Sequence, residues 1–227
     1  MSGSLKHLFR ESEWAYGFYV RRASRISTDW PNESTDCHQT GFPRSANTYS
    51  RYLITNFFPE KRFVTHIHAV ASIKAALRKR VFTQVIVRDP QSSVSSLCMK
   101  YSLSDTNEAL IGETLESYLR YHSYVLRSRD SLEVIDFLTV TTDPEAFVAH
   151  MGRALGVALD PSEIGPKIEQ LQQDFRAKEK TKKVSGSSLP NDERNKAKER
   201  YRLTIESHPL FNGANNCYEQ LVSKRAV

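Results

Sequence analysis

The run Val81-Phe82-Thr83-Gln84-Val85-Ile86-Val87 constrains this chain more than any other feature. It is β-branched and apolar, the pattern of a strand buried on both faces. Burial on both faces requires helices on each side of the sheet. Arg88-Asp89-Pro90 follows at once, and proline ends the ladder there. Strand and helix signals alternate around this run. Asp36 to Phe42, Arg62 to His66 and Glu133 to Val140 read as further strands. Trp14 to Ala23, Ala69 to Arg80, a segment from Ser92, and Gly112 to Arg129 read as helices. Tyr49, Leu53 and Phe57 give another helix at i, i+4, i+8. Asp143-Pro144 is a helix entry, an acid at the N-cap and proline at the first turn. The alternation predicts a three-layer α/β/α fold with a mostly parallel sheet, as one domain over residues 1–227.

Composition narrows the function classes. Hydrophobic residues make up 39% and charged residues 26% of the chain, which excludes a wholly disordered or collagen-like chain. No apolar stretch approaches the ~20 residues of a membrane span, and residues 1–7 lack the pattern of a secretory signal. Cys37, Cys98 and Cys217 are too few and too scattered for a disulfide framework or a zinc site, so a cytoplasmic setting is expected. The net charge is +6, and the segment 176–202, with ten Lys/Arg and four Asp/Glu, carries all of that excess. A local excess suits a compact anionic ligand or a mobile arm better than general polyanion binding.

In parallel α/β folds, ligands bind beyond the carboxyl ends of strands. Three loops stand there. Gly41 to Tyr49 joins a strand to a helix and offers Arg44, Ser45, Asn47 and Thr48 at a helix N-terminus. Those residues suit an anion cradle; they equally suit an N-capped helix after an ordinary loop. The loop is not a Walker A loop, because the second glycine and the Gly-Lys pair are missing. In the second loop Arg88 ends the central strand, and Ser96 lies one turn or more into the next helix. The two can pinch one phosphate; alone they also read as a surface arginine before a serine-rich helix. In the third, His66 and His68 follow a short strand. Histidine can accept a proton near neutral pH, and no Cys or carboxylate stands nearby at metal-ligand spacing.

In this order and spacing the three loops resemble the sulfotransferase superfamily that uses 3′-phosphoadenosine 5′-phosphosulfate (PAPS), with its P-loop NTPase-like fold. Phe42-Pro43-Arg44-Ser45-Ala46-Asn47-Thr48-Tyr49 is similar to the family's 5′-phosphosulfate loop, usually Tyr-Pro-Lys-Ser-Gly-Thr-Thr-Trp. Arg88 through Ser96 resembles its 3′-phosphate motif, and Thr65-His66-Ile67 resembles the Thr-His-Leu that carries a catalytic His. Leu132 to Leu138 with Asp143-Pro144-Glu145, and Ala214 to Leu221 with Tyr218, resemble the family's penultimate strand and helix and its C-terminal helix. The resemblance spans roughly Asp36 to Leu221.

The resemblance implies a PAPS-dependent sulfotransferase whose product is 3′,5′-ADP. It implies that the backbone from Ser45 through Ala46 to Tyr49, with the Asn47 and Thr48 side chains, holds the 5′-phosphosulfate. Arg44 would stabilise charge on the bridging oxygen, Arg88 and Ser96 would hold the 3′-phosphate, and His66 would be the base. No metal is required. Lys183, Ser185 and Gly186, within the basic segment, are the nearest substitute for the family's Arg-Lys-Gly stretch. The chain departs from the pattern in two places. Arg44 stands for lysine, and Ala46 stands for glycine, so the loop is expected to avoid positive φ there. Asp36 to Phe42 is also a weakly apolar strand for the centre of a sheet. The expected acceptor is a small molecule or glycan bearing a hydroxyl or amine. Residues 1–35 and Tyr101 to Leu110 are candidates to line its pocket, though Trp14, Tyr16, Phe18 and Tyr19 read first as core. Three alternatives stay open: a small-molecule kinase or other P-loop-like enzyme, a sulfotransferase fold that has lost catalysis, and a nucleic-acid binder using 176–202. The last is not expected, because Tyr201 is the sole aromatic of that segment.

Overall fold

The computed structural model describes residues 9–23, 30–101, 106–180 and 192–223. Four parallel strands form one sheet in the order β2-β1-β3-β4. They are β1 (Cys37–Gly41), β2 (Phe63–Thr65), β3 (Phe82–Val87) and β4 (Glu133–Asp136). Helices α1 (Glu13–Ala23), α2 (Asn47–Phe57), α3 (Val70–Arg78), α4 (Pro90–Tyr101) and α5 (Glu108–Arg127) follow the chain up to β4. After it come α6 (Phe137–Thr142), α7 (Pro144–Leu155), α8 (Pro161–Lys180), α9 (Asp192–Ser207) and α10 (Phe211–Ser223). The chain runs from β1 outward to β2, then crosses back past β1 to β3. The carboxyl ends of β1 and β3 therefore flank the switch point where such folds open a crevice.

β3 is the expected double-faced strand. Val85 and Val87 enter one core with Phe42, Val94, Ile111, Leu115 and Tyr118. Ile86 enters the other with Leu53, Ile54, Phe147 and Met151. One residue of offset sends each side chain to the opposite layer. Asn107 caps α5 by accepting from the Leu110 N–H at 2.9 Å, and Asp143 caps α7 by accepting from the Ala146 N–H at 3.1 Å.

β1 lies inside the sheet despite its polar sequence, because its polar groups are paired. The Gln39 amide donates to Gln84 Oε1 at 2.8 Å, and the Gln84 amide reaches Glu133 Oε2 at 3.2 Å. These three residues are in cross-strand register and form a ladder across the sheet. Thr40 donates to the Ile67 carbonyl at 2.8 Å, and His38 meets the Val64 carbonyl and the Ser72 hydroxyl, each at 3.1 Å. A buried polar group is tolerated when its partners are present.

Two sequence expectations change. The fourth strand stops at Asp136 instead of Val140, because the Asp136 carboxylate accepts from the Leu138 N–H at 3.2 Å and starts α6. Trp14, Phe18 and Tyr19 are exposed rather than core, while Val20 and Trp30 carry the contact of this segment with α3. Among the described residues, no helix is long and apolar enough to cross a membrane.

Candidate nucleotide and transfer site

The loop after β1 turns sharply. Gly41 ends the strand where a Cβ would meet the Ile86 carbonyl at 2.5 Å and Asn47 Oδ1 at 2.9 Å. Arg44 and Ala46 then adopt left-handed backbone, at φ 74° and 57°. The expectation that Ala46 avoids positive φ is thus overturned: Ala46 is the N-cap of α2 and takes the glycine-like conformation itself. Left-handed non-glycine residues cost of order 1–3 kcal/mol and persist where their surroundings hold them. The Asn47 amide does so from within, donating to the Phe42 carbonyl at 3.0 Å. This Asn47 donor is directed into the loop.

The N-cap residue Ala46 makes no side-chain cap bond to α2, and no such bond is present among the described residues. Its first N–H groups have no intrahelical acceptors and carry the positive end of the helix dipole. Ser45 Oγ is buried and has no hydrogen-bond partner among the described residues. An orphaned hydroxyl beside an uncapped helix N-terminus fits an anion bound there.

The loop after β3 is joined directly to the first. Arg88 Nη1 donates to the Arg44 carbonyl at 2.8 Å, and Arg44 Nε donates to Ser96 Oγ at 2.9 Å. Tyr118 of α5 donates to the Arg88 carbonyl at 2.8 Å, and the Arg88 guanidinium lies over the Phe137 ring at 4.2 Å. Arg44, Ser45, Arg88 and Ser96 therefore stand together. Tyr118 and Phe137, which hold Arg88, were not singled out from the sequence. The signal for Phe137 lies in the register: Val87 pairs with Asp136, so Phe137 follows β4 as Arg88 follows β3.

The histidines sit beside the first loop. His66 Nε2 is 3.2 Å from the Thr48 hydroxyl, and its Nδ1 is 3.3 Å from Thr65 Oγ1. His66 also has left-handed backbone, at φ 65°. Its pKa is lowered, first by burial and then by the charge of Arg51, so the ring is neutral near pH 7. His68 Nδ1 is 2.7 Å from the Gly41 carbonyl. A carbonyl only accepts, so Nδ1 carries the proton. Burial pushes His68 down to about 4. The Tyr49 ring turns away from the crevice, packing edge-on against Phe175 of α8 at 5.3 Å, with its hydroxyl accepting from Gln172 at 3.0 Å. Lys183, Ser185 and Gly186 lie outside the described residues. Among the described residues no group of three or more His, Cys, Asp or Glu is placed to hold a metal ion.

A parallel four-stranded sheet with helices on both faces, an uncapped helix after one inner strand and an arginine after the next defines a three-layer α/β/α class. Within that class the chain has the sulfotransferase fold. It superposes on a crystal structure of mouse sulfotransferase SULT7A1 complexed with PAP at a TM-score of 0.52, over 87% of this chain and 88% of that one, with 11% sequence identity. No family model and no curated protein sequence matches the chain.

Proposed function

We propose that this chain is a PAPS-dependent sulfotransferase acting on a hydroxyl or amine of a small-molecule or glycan acceptor. The observation that carries the reading is the junction of the two loops, Arg88 Nη1 to the Arg44 carbonyl at 2.8 Å. It puts a helix N-terminus and a strand-end arginine within the span of one nucleotide bearing two charged ends. The structural neighbour was itself solved with PAP, which supports that choice of nucleotide.

In this reading PAPS supplies the sulfuryl group. The backbone amides at the start of α2, with Ser45 and Thr48, hold its 5′ end, where negative charge grows as the sulfuryl group leaves. Arg88 and Ser96 take the 3′-phosphate. His66 accepts the proton of the acceptor; it is neutral at physiological pH and touches Thr48 of the phosphate loop. As in phosphoryl transfer, the protein's work is positioning and charge stabilisation.

Calorimetric titration with 3′,5′-ADP, 5′-AMP, and ATP with Mg²⁺ tests the donor. Binding is expected to favour 3′,5′-ADP, and Arg88→Ala is expected to erase most of that preference over 5′-AMP. A preference for ATP with Mg²⁺ would replace this reading with a kinase. Screening acceptors for sulfuryl transfer from PAPS then tests the activity.

A further inference from the structure

We propose that Arg44 is a second arginine for the 3′-phosphate, and that it sets the specificity for a nucleotide carrying that group. The inference rests on the donor reading above and changes the role that the resemblance implies for this residue. A lysine at this position in the family is thought to act at the bridging oxygen. The Arg44 side chain is aimed elsewhere.

One contact sets the direction of its side chain, and two observations show how its backbone is held. Arg44 Nε donates to Ser96 Oγ at 2.9 Å, so the guanidinium lies against the residue that takes the 3′-phosphate. Arg88 Nη1 donates to the Arg44 carbonyl at 2.8 Å, which ties the Arg44 backbone to the second 3′-phosphate residue. The Arg44 backbone is left-handed at φ 74°, a conformation that a branched or straight side chain takes only when held there. The Arg88 bond is such a restraint. Arg44 thus leaves the line of the loop after β1 and joins the loop after β3.

The chemistry favours this placement. A planar guanidinium presents forked donors that match phosphate oxygens, and it does not transfer a proton to a leaving oxygen. The Arg44 guanidinium against Ser96 Oγ sets forked donors that match phosphate oxygens beside the residue that takes the 3′-phosphate in this reading. The charge of the leaving group then falls to the α2 amides and Thr48, and the Arg-for-Lys exchange has a function in recognition.

The test is binding, not turnover. The affinities of 3′,5′-ADP and 5′-AMP are measured by calorimetry for the unaltered chain, Arg44→Ala and Arg44→Lys. Arg44→Ala is expected to weaken 3′,5′-ADP by about 10- to 100-fold while 5′-AMP changes little. Arg44→Lys restores charge without the Nε donor and should fall between. Should Arg44→Ala not fold, as judged by its unliganded melting curve, the ratio of the two affinities in Arg44→Lys carries the test. Equal losses on both nucleotides, or unchanged 3′,5′-ADP affinity, would overturn the inference and leave the donor reading intact. If the unaltered chain binds no 3′,5′-ADP, the donor reading falls, and this inference with it.

Discussion

The two loops at the switch point solve the same problem in opposite ways. Both lead from an inner strand into a helix, and both helix N-termini offer a positive dipole end. The loop after β3 closes its own helix: Asp89 Oδ1 accepts from the Ser92 N–H at 2.7 Å. A carboxylate already fills that N-terminus, and an incoming phosphate would meet its charge. Among the described residues, the loop after β1 leaves α2 without a side-chain cap and the buried Ser45 hydroxyl without a partner, and it holds two left-handed residues. The relaxed loop contributes side chains, Arg88 and Ser96. In the proposed reading the strained loop adds the backbone amides at the start of α2 together with the Arg44, Ser45 and Thr48 side chains. An anion site assembled from both needs one loop that satisfies itself and one that does not.

If the loop after β1 is the working end, damage there should be the most severe. His66, which touches that loop through Thr48, comes first. His66→Ala is expected to lower turnover by ~10²–10⁴-fold with 3′,5′-ADP affinity nearly unchanged; unchanged turnover would take His66 out of the mechanism and turn attention to His68. If the proposed transfer is catalysed, the acid limb of the pH–rate profile of the unaltered chain should lie below the ordinary imidazole value of 6.5, because burial and Arg51 both disfavour the cation. Arg51→Ala should move that limb upward.

Gly41→Ala is the next largest effect. Its Cβ would meet the Ile86 carbonyl at 2.5 Å, and overpacking against backbone of this kind is expected to remove about 3 kcal/mol of stability, read from chemical denaturation. An unaltered midpoint would mean that the close approach of β1, β3 and Asn47 is not as described.

Acid should loosen both loops together, because each rests on a buried neutral imidazole. His68 contacts the Gly41 carbonyl at 2.7 Å. His122 stacks on Tyr118 at 3.8 Å, and Tyr118 holds the Arg88 carbonyl at 2.8 Å. Burial pushes both imidazoles down from 6.5 to about 4. The unfolded chain therefore binds more protons than the folded one across that window. Stability present above pH 6.5 is lost as pH falls toward 4. Melting temperatures measured from pH 7 to 4 should decline, and less steeply in His122→Phe. A flat profile would contradict the neutral assignment.

Two smaller effects separate the loops most directly. Asp89→Ala removes a cap and should cost about 1 kcal/mol without weakening 3′,5′-ADP. A marked loss of nucleotide affinity would show that the second loop is not self-contained. Ala46→Gly relieves left-handed strain of roughly 1–2 kcal/mol but adds unfolded-state freedom worth about 0.4–1 kcal/mol. A gain in stability between about 0 and about 1.6 kcal/mol is expected from the balance of the two.

Local chemistry was legible where it acts within a few residues. Val81 to Val87 announced a buried strand, Asp143-Pro144 announced a capped helix, and Arg88 stood at a strand end in both sequence and structure. Val140 was assigned to a strand because its neighbourhood is apolar, whereas Asp136 captured the Leu138 N–H and began a helix two residues after the last buried strand position. Ala46 was read from its own Cβ penalty, yet the Asn47 and Arg88 bonds hold the loop in a form that its sequence alone disfavours.

By itself, then, the sequence determined the layered architecture and the order of the loops that follow the inner strands, since periodicity, proline stops and helix entries are properties of neighbours along the chain. Only the tertiary structure decided that a Gln–Gln–Glu ladder makes a polar strand fit for the sheet interior, that Phe137 and Tyr118 hold Arg88, and that Arg44 turns toward Ser96. Each of these depends on partners 30 or more positions away. Polar pairing and left-handed backbone are stable only when such partners arrive in register, and that register is set by the packed sheet.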